Sequence, residues 1–211
     1  WALRYLGEPQ RRGLVIEVGG NVGSTTVSLA AGHGAPAVLA FEPETQNYAL
    51  LQCNVIMNGL SDRVRTEQLA ITDASGVVQI ELAPENLGDH RVRSAGPTVE
   101  GVLREDARPT VDVRAKTLTD AVRDAGADVR DVSLVWVDTQ GHEAQVLAGA
   151  GAVLEARAPW VMEYWPYGLR RSAGLDRLHG LVAQNFSSIV DIRESMAAGR
   201  PIEHAATEIA S

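Results

Sequence analysis

The stretch V-I-E-V-G-G-N-V-G, from Val15 to Gly23, decides the fold of this chain. The apolar run Leu14–Val18 predicts a buried strand that ends in a tight glycine turn. Small and apolar residues then recur at helical spacing over residues 22–31, and the glycines of residues 32–34 stop that helix. A buried strand that passes through a tight turn into a helix is typical of sheet folds with crossover helices.

Apolar runs of strand length alternate with helical patterns along the rest of the chain. Further strands are predicted at residues 37–41, 64–71, 77–82, 110–115, 132–137, 160–163 and 186–192. Further helices are predicted at residues 44–58, 118–125, 143–156 and 175–184. This alternation predicts an α/β, Rossmann-like fold, with a mostly parallel central sheet and helices on both faces.

Domain organisation is expected to be simple, because 211 residues suit one core of ordinary size. We expect one domain over residues 13–211. Residues 83–109 are polar, rich in proline and glycine and without a clear period, so they are predicted to form one long loop, which in a compact domain is often functional. The sequence starts at Trp1 rather than Met, so we expect residues 1–12 to be what is left of a longer N-terminal segment.

Charge and cysteine content narrow the classes of function. The 27 acidic residues against 19 basic ones give a formal net charge of −8, which disfavours a nucleic-acid partner. The arginine pairs at 91 and 93 and at 170 and 171 are interpreted as solvated surface. No run approaches the roughly 18 apolar residues of a membrane span. The single cysteine, Cys53, is predicted to lie in the core, and the absence of any possible intrachain disulfide favours a cytoplasmic protein.

The glycine turn favours a cationic nucleoside over a dinucleotide. Its pattern is an acid at Glu17 with glycines at 19 and 23, which lacks the one-three-six glycine spacing of the dinucleotide fingerprint. A carboxylate at a strand end suits a positively charged ligand such as S-adenosylmethionine, which carries a sulfonium and an ammonium and no phosphate. Glu42 follows the second strand, and an acid at that distance from the turn can accept hydrogen bonds from both ribose hydroxyls.

Structural alternatives exist for each of these residues. The glycines can serve only the tight turn and close helix packing. Glu42 can be an acid favoured by the dipole at a helix N-terminus, and Glu17 can be incidental to the strand end.

Four blocks, in order, resemble the FkbM family of methyltransferases. E-V-G-G-N-V-G at residues 17–23 is similar to the family's D-I-G-A-N-I-G, and F-E-P at residues 41–43 is followed, as in the family, by Tyr48, Leu51 and Asn54. W-V-D-T-Q-G-H-E at residues 136–143 is similar to K-I-D-V-E-G-x-E, with Gln140 in place of an acid and an unusual His142. V-M-E-Y-W at residues 161–165 matches through Glu163. The resemblance extends over residues 15–165.

The resemblance implies S-adenosylmethionine as methyl donor and a hydroxyl of a sugar or secondary metabolite as acceptor. Carried over by position, the cofactor-binding residues form four groups along the chain. The methionine portion would be surrounded by Glu17, Gly19, Gly20, Asn21 and Gly23; the ribose would meet Glu42 and Pro43; the adenine would lie along Leu69, Ala70 and Ile71, with Asp73 in reach; and Asp138 would sit at the methyl-transfer end.

Four side chains are candidates for acting on a hydroxyl acceptor, because such an acceptor benefits from a base. Asp138 is favoured as base or orienting group; its alternative role is to cap the helix that follows. Glu163 could orient the substrate, and His90 lies in the predicted loop. His142 is a weaker candidate. Asp138, Gln140 and Glu163 could instead hold a divalent metal, although no metal is expected, because no His or Cys cluster supports one.

The acceptor side of the site is expected to be framed by residues 1–12, 83–109 and 165–171, since specificity usually lies in loops. Tyr164, Trp165 and Tyr167 could line that pocket or form an edge of the core. The alternatives to a hydroxyl-directed enzyme are an N-methyltransferase, a nucleoside-binding protein of the same fold without turnover, and a nicotinamide-dependent oxidoreductase, which lacks its glycine spacing here. The oligomeric state is not predicted.

Overall fold

A computed structural model describes residues 2–94 and 105–209 of the chain. The α-helices are α1 Ala2–Tyr5, α2 Ser24–Val27, α3 Thr45–Met57, α4 Leu118–Asp124, α5 Glu143–Ala148, α6 Gly151–Glu155, α7 Pro166–Arg171, α8 Leu175–Asn185 and α9 Ile192–Ala198. The strands are β1 Leu14–Val18, β2 Ala37–Phe41, β3 Val64–Glu67, β4 Ala70–Ile71, β5 Gly76–Glu81, β6 Arg91–Val92, β7 Thr110–Lys116, β8 Val132–Val137, β9 Trp160–Met162, β10 Ser188–Val190 and β11 Glu203–Ala205.

The central sheet is parallel and has β1 in its middle. Within the described residues its order is β3-β2-β1-β8-β9, with β2 on one side of β1 and β8 on the other. Strand order therefore reverses beside β1, and a sheet of this kind binds ligands beyond the carboxyl ends of its strands at such a point. The predicted α/β fold with a mostly parallel sheet is confirmed.

Side chains alternate between the two faces of β1 and enter two separate cores. Ile16 and Val18 pack in the core that includes α4, α6 and Phe41, whereas Val15 packs in the core that includes α3. This two-residue period is what a strand covered by helices on both faces requires. The prediction for α3, residues 44–58, was right to within one residue at each end, but Cys53 is exposed rather than in the core, and Ile56 is 67% exposed.

The strand predicted at residues 64–71 is divided between two sheets. β3 belongs to the central sheet, and after two residues β4 joins a smaller sheet of order β4-β7-β5-β6. In this smaller sheet β4 pairs parallel with β7, while β5 is antiparallel to both β7 and β6. The chain thus leaves the central sheet at Gln68, and Ile71 of β4 packs in the same core as Val18 of β1 and Phe41 of β2.

Residues 83–109 are not one long loop. They contain β6 and the short 3-10 helices Leu87–Asp89 and Glu105–Ala107, and residues 95–104 of the prediction lie outside the described part of the chain. β6 pairs with β5 through only two residue pairs, Ile80 with Val92 and Glu81 with Arg91. A strand of two residues gives no readable alternation, so the sequence pattern could not predict it.

The C-terminal third departs from prediction in three places. The helix predicted at 143–156 is broken into α5 and α6 around Gly149, where a Cβ would lie 2.2 Å from the carbonyl oxygen of Thr72. The strand predicted at 186–192 is β10, which pairs antiparallel with β11 and stays apart from the central sheet. α7 and α9 were not predicted.

In the part of the chain that the structure describes, none of the helices has the length and apolar character to cross a bilayer.

Candidate active site

A crevice opens above the carboxyl ends of β1, β2 and β8, where strand order reverses. Eight of the predicted site residues line it: Gly19, Asn21, Glu42, Pro43, Ala70, Ile71, His90 and Asp138. Five do not: Glu17, Gly20, Gly23, Asp73 and Glu163. The structure therefore brings most of the predicted residues to one place, although they are spread over more than a hundred positions of the sequence.

Gly19 allows the ends of β1 and β8 to touch. Its φ is 90°, and a Cβ built there would lie 1.8 Å from the carbonyl oxygen of Asp138, so no other residue fits without displacing backbone. The amide groups of Gly19 and Gly20 both donate to the carbonyl of Phe41, at 3.0 and 2.9 Å. The ends of β1, β2 and β8 are thereby joined into one rigid floor under the crevice.

Glu42 connects the first glycine turn to the start of α3. One of its oxygens accepts from the backbone amide of Asn21 at 2.8 Å and the other from that of Glu44 at 2.9 Å. Burial raises the pKa of the Glu42 carboxyl to about 7, against the lowering effect of these two bonds. Each carboxylate oxygen can accept a second hydrogen bond, so Glu42 can bind a pair of hydroxyls while it holds the turn in place.

Glu17, Gly20 and Gly23 lie behind the crevice rather than in it. Glu17 is 1% exposed, and one of its oxygens accepts from the hydroxyl of Thr26 on α2. Its other oxygen has no hydrogen-bond partner among the described residues, and burial raises the pKa of Glu17 to about 8. A Cβ at Gly20 or Gly23 would lie 3.1 or 2.9 Å from the Leu51 side chain. These three residues pack the turn against α2 and α3.

The apolar side of the crevice comes from β4 and the residue before it. Leu69, Ala70 and Ile71 line it together with Pro43, on the side of the crevice beyond β2. Asp73 lies farther along the chain at the surface, where its Oδ2 accepts from Arg177 Nη1 at 2.6 Å. That hydrogen bond lowers the pKa of Asp73. The apolar surface that was expected to contact an adenine is therefore present. Asp73 does not belong to it, because Asp73 is paired with Arg177 at the protein surface.

Asp138, Gln140 and Glu163 form a polar cluster at the other end of the crevice. The amide nitrogen of Gln140 donates to Asp138 Oδ1 at 2.7 Å and to Glu163 Oε2 at 3.1 Å. Burial, followed by the charge of Asp138, raises the pKa of Glu163 to about 7. The sequence marked Gln140 only as a departure from the family pattern, and its contact with both acids needed the geometry to be seen.

Asp138 does not cap the helix that follows, which was its alternative role. α5 begins at Glu143, and the position before it is His142. Glu143 is fully buried, and its Oε1 accepts from the backbone amides of Thr139 and Gly141 at 2.9 and 3.2 Å and from the Thr139 hydroxyl at 2.9 Å. Glu143 therefore stabilises the loop that presents Asp138 and Gln140, and Asp138 itself stays exposed in the open crevice.

Two histidines line the crevice and both favour the neutral form. His90 Nδ1 accepts from the Ala83 amide at 3.0 Å, which leaves the proton of a neutral ring on Nε2, and burial lowers the pKa of His90. His142 Nε2 lies 2.9 Å from the Thr72 hydroxyl, and burial lowers its pKa to about 4. His90 is thus arranged to donate a hydrogen bond from Nε2 rather than to remove a proton.

A buried ion-pair network supports the side of the crevice that carries His90. Its members are Glu81, Asp89, Arg91, Glu105, Arg108 and Arg171. Arg171 donates to Glu81 at 2.6 Å, Arg108 pairs with Asp89 at 2.5 Å, and Arg91 pairs with both Asp89 and Glu105. The interpretation of Arg91 and Arg171 as solvated surface was wrong, since they are 4% and 5% exposed.

The aromatic residues near this network do not line the crevice. The Trp165 ring lies 4.5 Å from the guanidinium carbon of Arg91, and the Tyr167 hydroxyl donates to Glu105 at 2.6 Å. Tyr164 is 49% exposed and contacts His179. Residues 2–12 precede β1, and within them Gln10 and Arg11 donate to the carbonyl of His33, which lies before the start of β2. Of the three segments expected to frame the acceptor side, only 83–94 reaches the crevice among the described residues.

The polar cluster was considered in the sequence as a place for a divalent metal. Among the residues that the structure describes, no group of three or more His, Cys, Asp or Glu side chains is placed to hold a metal ion. Between Asp138 and Glu163, Gln140 offers a nitrogen donor, which a cation would repel.

Curated relatives of the chain are methyltransferases at low identity. It is 24% identical to methyltransferase sdnD of Sordaria araneosa over 74% of the chain, 26% identical to 31-O-demethyl-FK506 methyltransferase FkbM of Streptomyces tacrolimicus over 70%, and 26% identical to 2-O-methyltransferase NoeI of Sinorhizobium fredii over 67%. The chain spans 68%, 63% and 58% of the lengths of these three proteins.

Solved structures share the fold. A methyltransferase FkbM from Methylobacillus flagellatus superposes with a TM-score of 0.57 at 14% identity, over 85% of this chain and 40% of that protein. An O-methyltransferase from Bacillus cereus, solved in complex with SAH, gives 0.53 at 14% identity, over 90% of this chain and 70% of that protein. The fold is therefore that of class I methyltransferases. The model of the methyltransferase FkbM domain matches residues 17–196, which is most of the chain, and the chain therefore belongs to the methyltransferase FkbM domain family.

Proposed function

We propose that this protein transfers the methyl group of S-adenosylmethionine to a hydroxyl of a small molecule. The observation that carries the proposal is the pair of carboxylates at the two ends of one crevice, Glu42 above β2 and Asp138 above β8. A cationic nucleoside would be bound by the first and would present its methyl group near the second. Family membership supports the donor, and the geometry supports the roles of the residues.

The crevice has the chemistry that this donor needs. Glu42 can accept the two ribose hydroxyls, because each of its oxygens has a free lone pair beside the bond to Asn21 or Glu44. The apolar surface of Leu69, Ala70 and Ile71 suits an adenine ring. When bound, S-adenosylmethionine supplies an electrophilic methyl carbon with a neutral thioether as leaving group.

Asp138 is the base in this proposal. It is exposed in the open crevice, so an incoming hydroxyl can reach it and transfer its proton as the oxygen–carbon bond forms. His90 would orient the acceptor by donating from Nε2, and Glu163 would act through Gln140 rather than on the substrate. Much of the rate enhancement would come from alignment on the rigid strand ends.

The choice of hydroxyl and of a small molecule is supported by the relatives. The names of two of them, a 31-O-demethyl-FK506 methyltransferase and a 2-O-methyltransferase, refer to oxygen methylation. The net charge of −8 is unfavourable for a polyanionic acceptor.

The proposal is tested by turnover with a panel of acceptors. Purified protein is incubated with S-adenosylmethionine and with O-demethylated macrolides, sugars or amines, and S-adenosylhomocysteine release is followed together with the mass of each acceptor. We expect release only with a hydroxylated compound, which gains one methyl group on oxygen. Methylation of amines alone, or binding of S-adenosylhomocysteine without turnover of any acceptor, would refute the hydroxyl assignment and favour the alternatives.

A further inference from the structure

Gln140 combines two properties in the crevice. Its backbone lies in the left-handed region with φ 55°, a conformation that is unfavourable for a residue with a side chain and that Asn21 shares there. Its side-chain amide donates to both Asp138 and Glu163. A strained backbone held beside a reacting group is a feature of functional sites, and it gives a reason to ask what this amide does.

The amide constrains the direction of the Asp138 carboxylate. Oδ1 accepts the 2.7 Å bond from Gln140, which fixes one oxygen of the carboxylate, and Glu163 also hydrogen-bonds to Asp138 while it holds a proton. The same nitrogen donates to Glu163 at 3.1 Å, and Glu163 follows β9 while Asp138 follows β8. The ends of two neighbouring strands are thus linked through one side chain, and the loop that carries it is held by Glu143.

An amide suits this position better than a carboxyl in one respect. Both partners are acceptors when ionised, and an amide nitrogen can donate to two of them at any pH. A glutamate at 140 would put a third acid between Asp138 and Glu163, with Glu143 also facing Glu163, and it could donate only while it kept a proton. The chain therefore has a permanent donor where the family pattern has an acid.

We propose that Gln140 is a positioning residue for methyl transfer, whose amide holds Asp138 and Glu163 together and so orients the Asp138 carboxylate toward the acceptor hydroxyl. The inference rests on the proposed function only for the identity of the reaction. The hydrogen-bonded cluster itself belongs to the free protein and can be tested without cofactor or acceptor.

The test compares Gln140→Gly and Gln140→Glu with the native chain. Glycine tolerates the left-handed backbone, so this variant removes the amide without adding strain. The first readout is the titration of the Glu163 carboxyl carbon by ¹³C NMR in the free protein. Because the Gln140 bond lowers the pKa of Glu163, we expect its midpoint to move upward from about 7 in Gln140→Gly. An unchanged midpoint would overturn the proposal.

The second readout is turnover against pH with the acceptor identified by the panel. In Gln140→Gly we expect kcat to fall about tenfold or more, a typical loss for one misplaced catalytic group, with the KM for S-adenosylmethionine within about twofold. In Gln140→Glu we expect the acid limb of the kcat profile to move to higher pH. A kcat that stays native at all pH values in both variants would also overturn the proposal.

Failure of the proposed function itself would give a different result. The native protein would then fail to bind S-adenosylhomocysteine, while the NMR readout would still decide the role of Gln140.

Discussion

The two sides of the crevice are built by different means. The side formed by the glycine turn and Glu42, called here the cofactor side after its proposed role, consists of backbone at the ends of β1 and β2. It is joined by hydrogen bonds from Gly19 and Gly20 to Phe41 and from Asn21 to Glu42. The side that carries His90 consists of a two-residue strand and short helical turns held by the buried ion-pair network. The first arrangement depends on local backbone geometry, and the second on charged side chains far apart in sequence. Substitutions on the two sides should therefore have different effects on the protein.

The largest effect is expected from breaking the network at Glu105. Glu105→Gln removes a charge that two buried arginines share, Arg91 and Arg171, and leaving buried charge uncompensated costs about 3–5 kcal/mol. The midpoint of thermal unfolding should fall by about 6–20 °C. The control is Glu67→Gln, which breaks the exposed pair with Arg65 and should cost about 1 kcal/mol or less. Equal shifts in the two variants would contradict the role of the network.

A large effect on turnover alone is expected at Asp138. Asp138→Asn keeps the shape and removes the base, so kcat should fall about 100-fold or more while the affinity for S-adenosylhomocysteine stays within about twofold. The measurement is steady-state turnover paired with calorimetric titration. A parallel loss of turnover and affinity would show that Asp138 serves the cofactor side instead.

The glycine turn gives the next test of the comparison. Gly19→Ala places a Cβ against the Asp138 carbonyl at a φ of 90°, and we expect about 2 kcal/mol or more of lost folding stability together with weaker S-adenosylhomocysteine binding. Gly76→Ala is the matched control, because nothing lies within 4 Å of a Cβ there. Denaturant unfolding and calorimetry measure both quantities. A Gly19→Ala protein as stable as Gly76→Ala would mean that the turn is not fixed by this approach of the strand ends.

A smaller effect should appear as pH changes. Burial raises the pKa of Glu17 to about 8 and of Glu42 to about 7, so the folded state holds protons that the unfolded chain has released above about pH 4.5. The free protein should therefore lose stability as pH rises from about 5 to about 8. Affinity for S-adenosylhomocysteine should rise through about pH 7 as Glu42 ionises. Stability that increases over this range would show that other groups dominate the titration.

The sequence predicted the cofactor side well because its signals are local. Apolar runs and the glycine turn give the bounds of β1, β2 and β8, and they place Glu42 directly after β2. The structure confirms those strands. Which glycine lines the crevice and which packs a helix could not be predicted, because it depends on Leu51 and on the Asp138 carbonyl, both distant in the chain.

The network side was poorly predicted for a physical reason. Arg91 and Arg171 look like surface residues in the sequence, since an arginine is buried only when partners compensate its charge, and the partners Glu105 and Glu81 lie 14 to 90 residues away. The contact of Gln140 with Asp138 and Glu163 likewise links two strands that are neighbours only in the folded sheet.

The smallest effect, and the control for the final measurement, is expected at Asp73. The sequence suggested that Asp73 might reach the cofactor, but its carboxylate pairs with Arg177 at the surface. Asp73→Asn should leave S-adenosylhomocysteine affinity within about twofold and should change stability by about 1 kcal/mol or less. A clear loss of affinity in a folded Asp73→Asn protein would mean that the crevice extends to this residue when ligand binds.

The most direct test of the central claim is the affinity of Glu42→Gln for S-adenosylhomocysteine, measured by calorimetry at about pH 8, where Glu42 is ionised in the native protein. If the carboxylate of Glu42 accepts the ribose hydroxyls, its loss should cost about 1.5–3 kcal/mol, which is an affinity about 10-fold to 100-fold lower than that of the native chain and of Asp73→Asn. Native affinity in a folded Glu42→Gln protein would contradict a nucleoside site above β1 and β2.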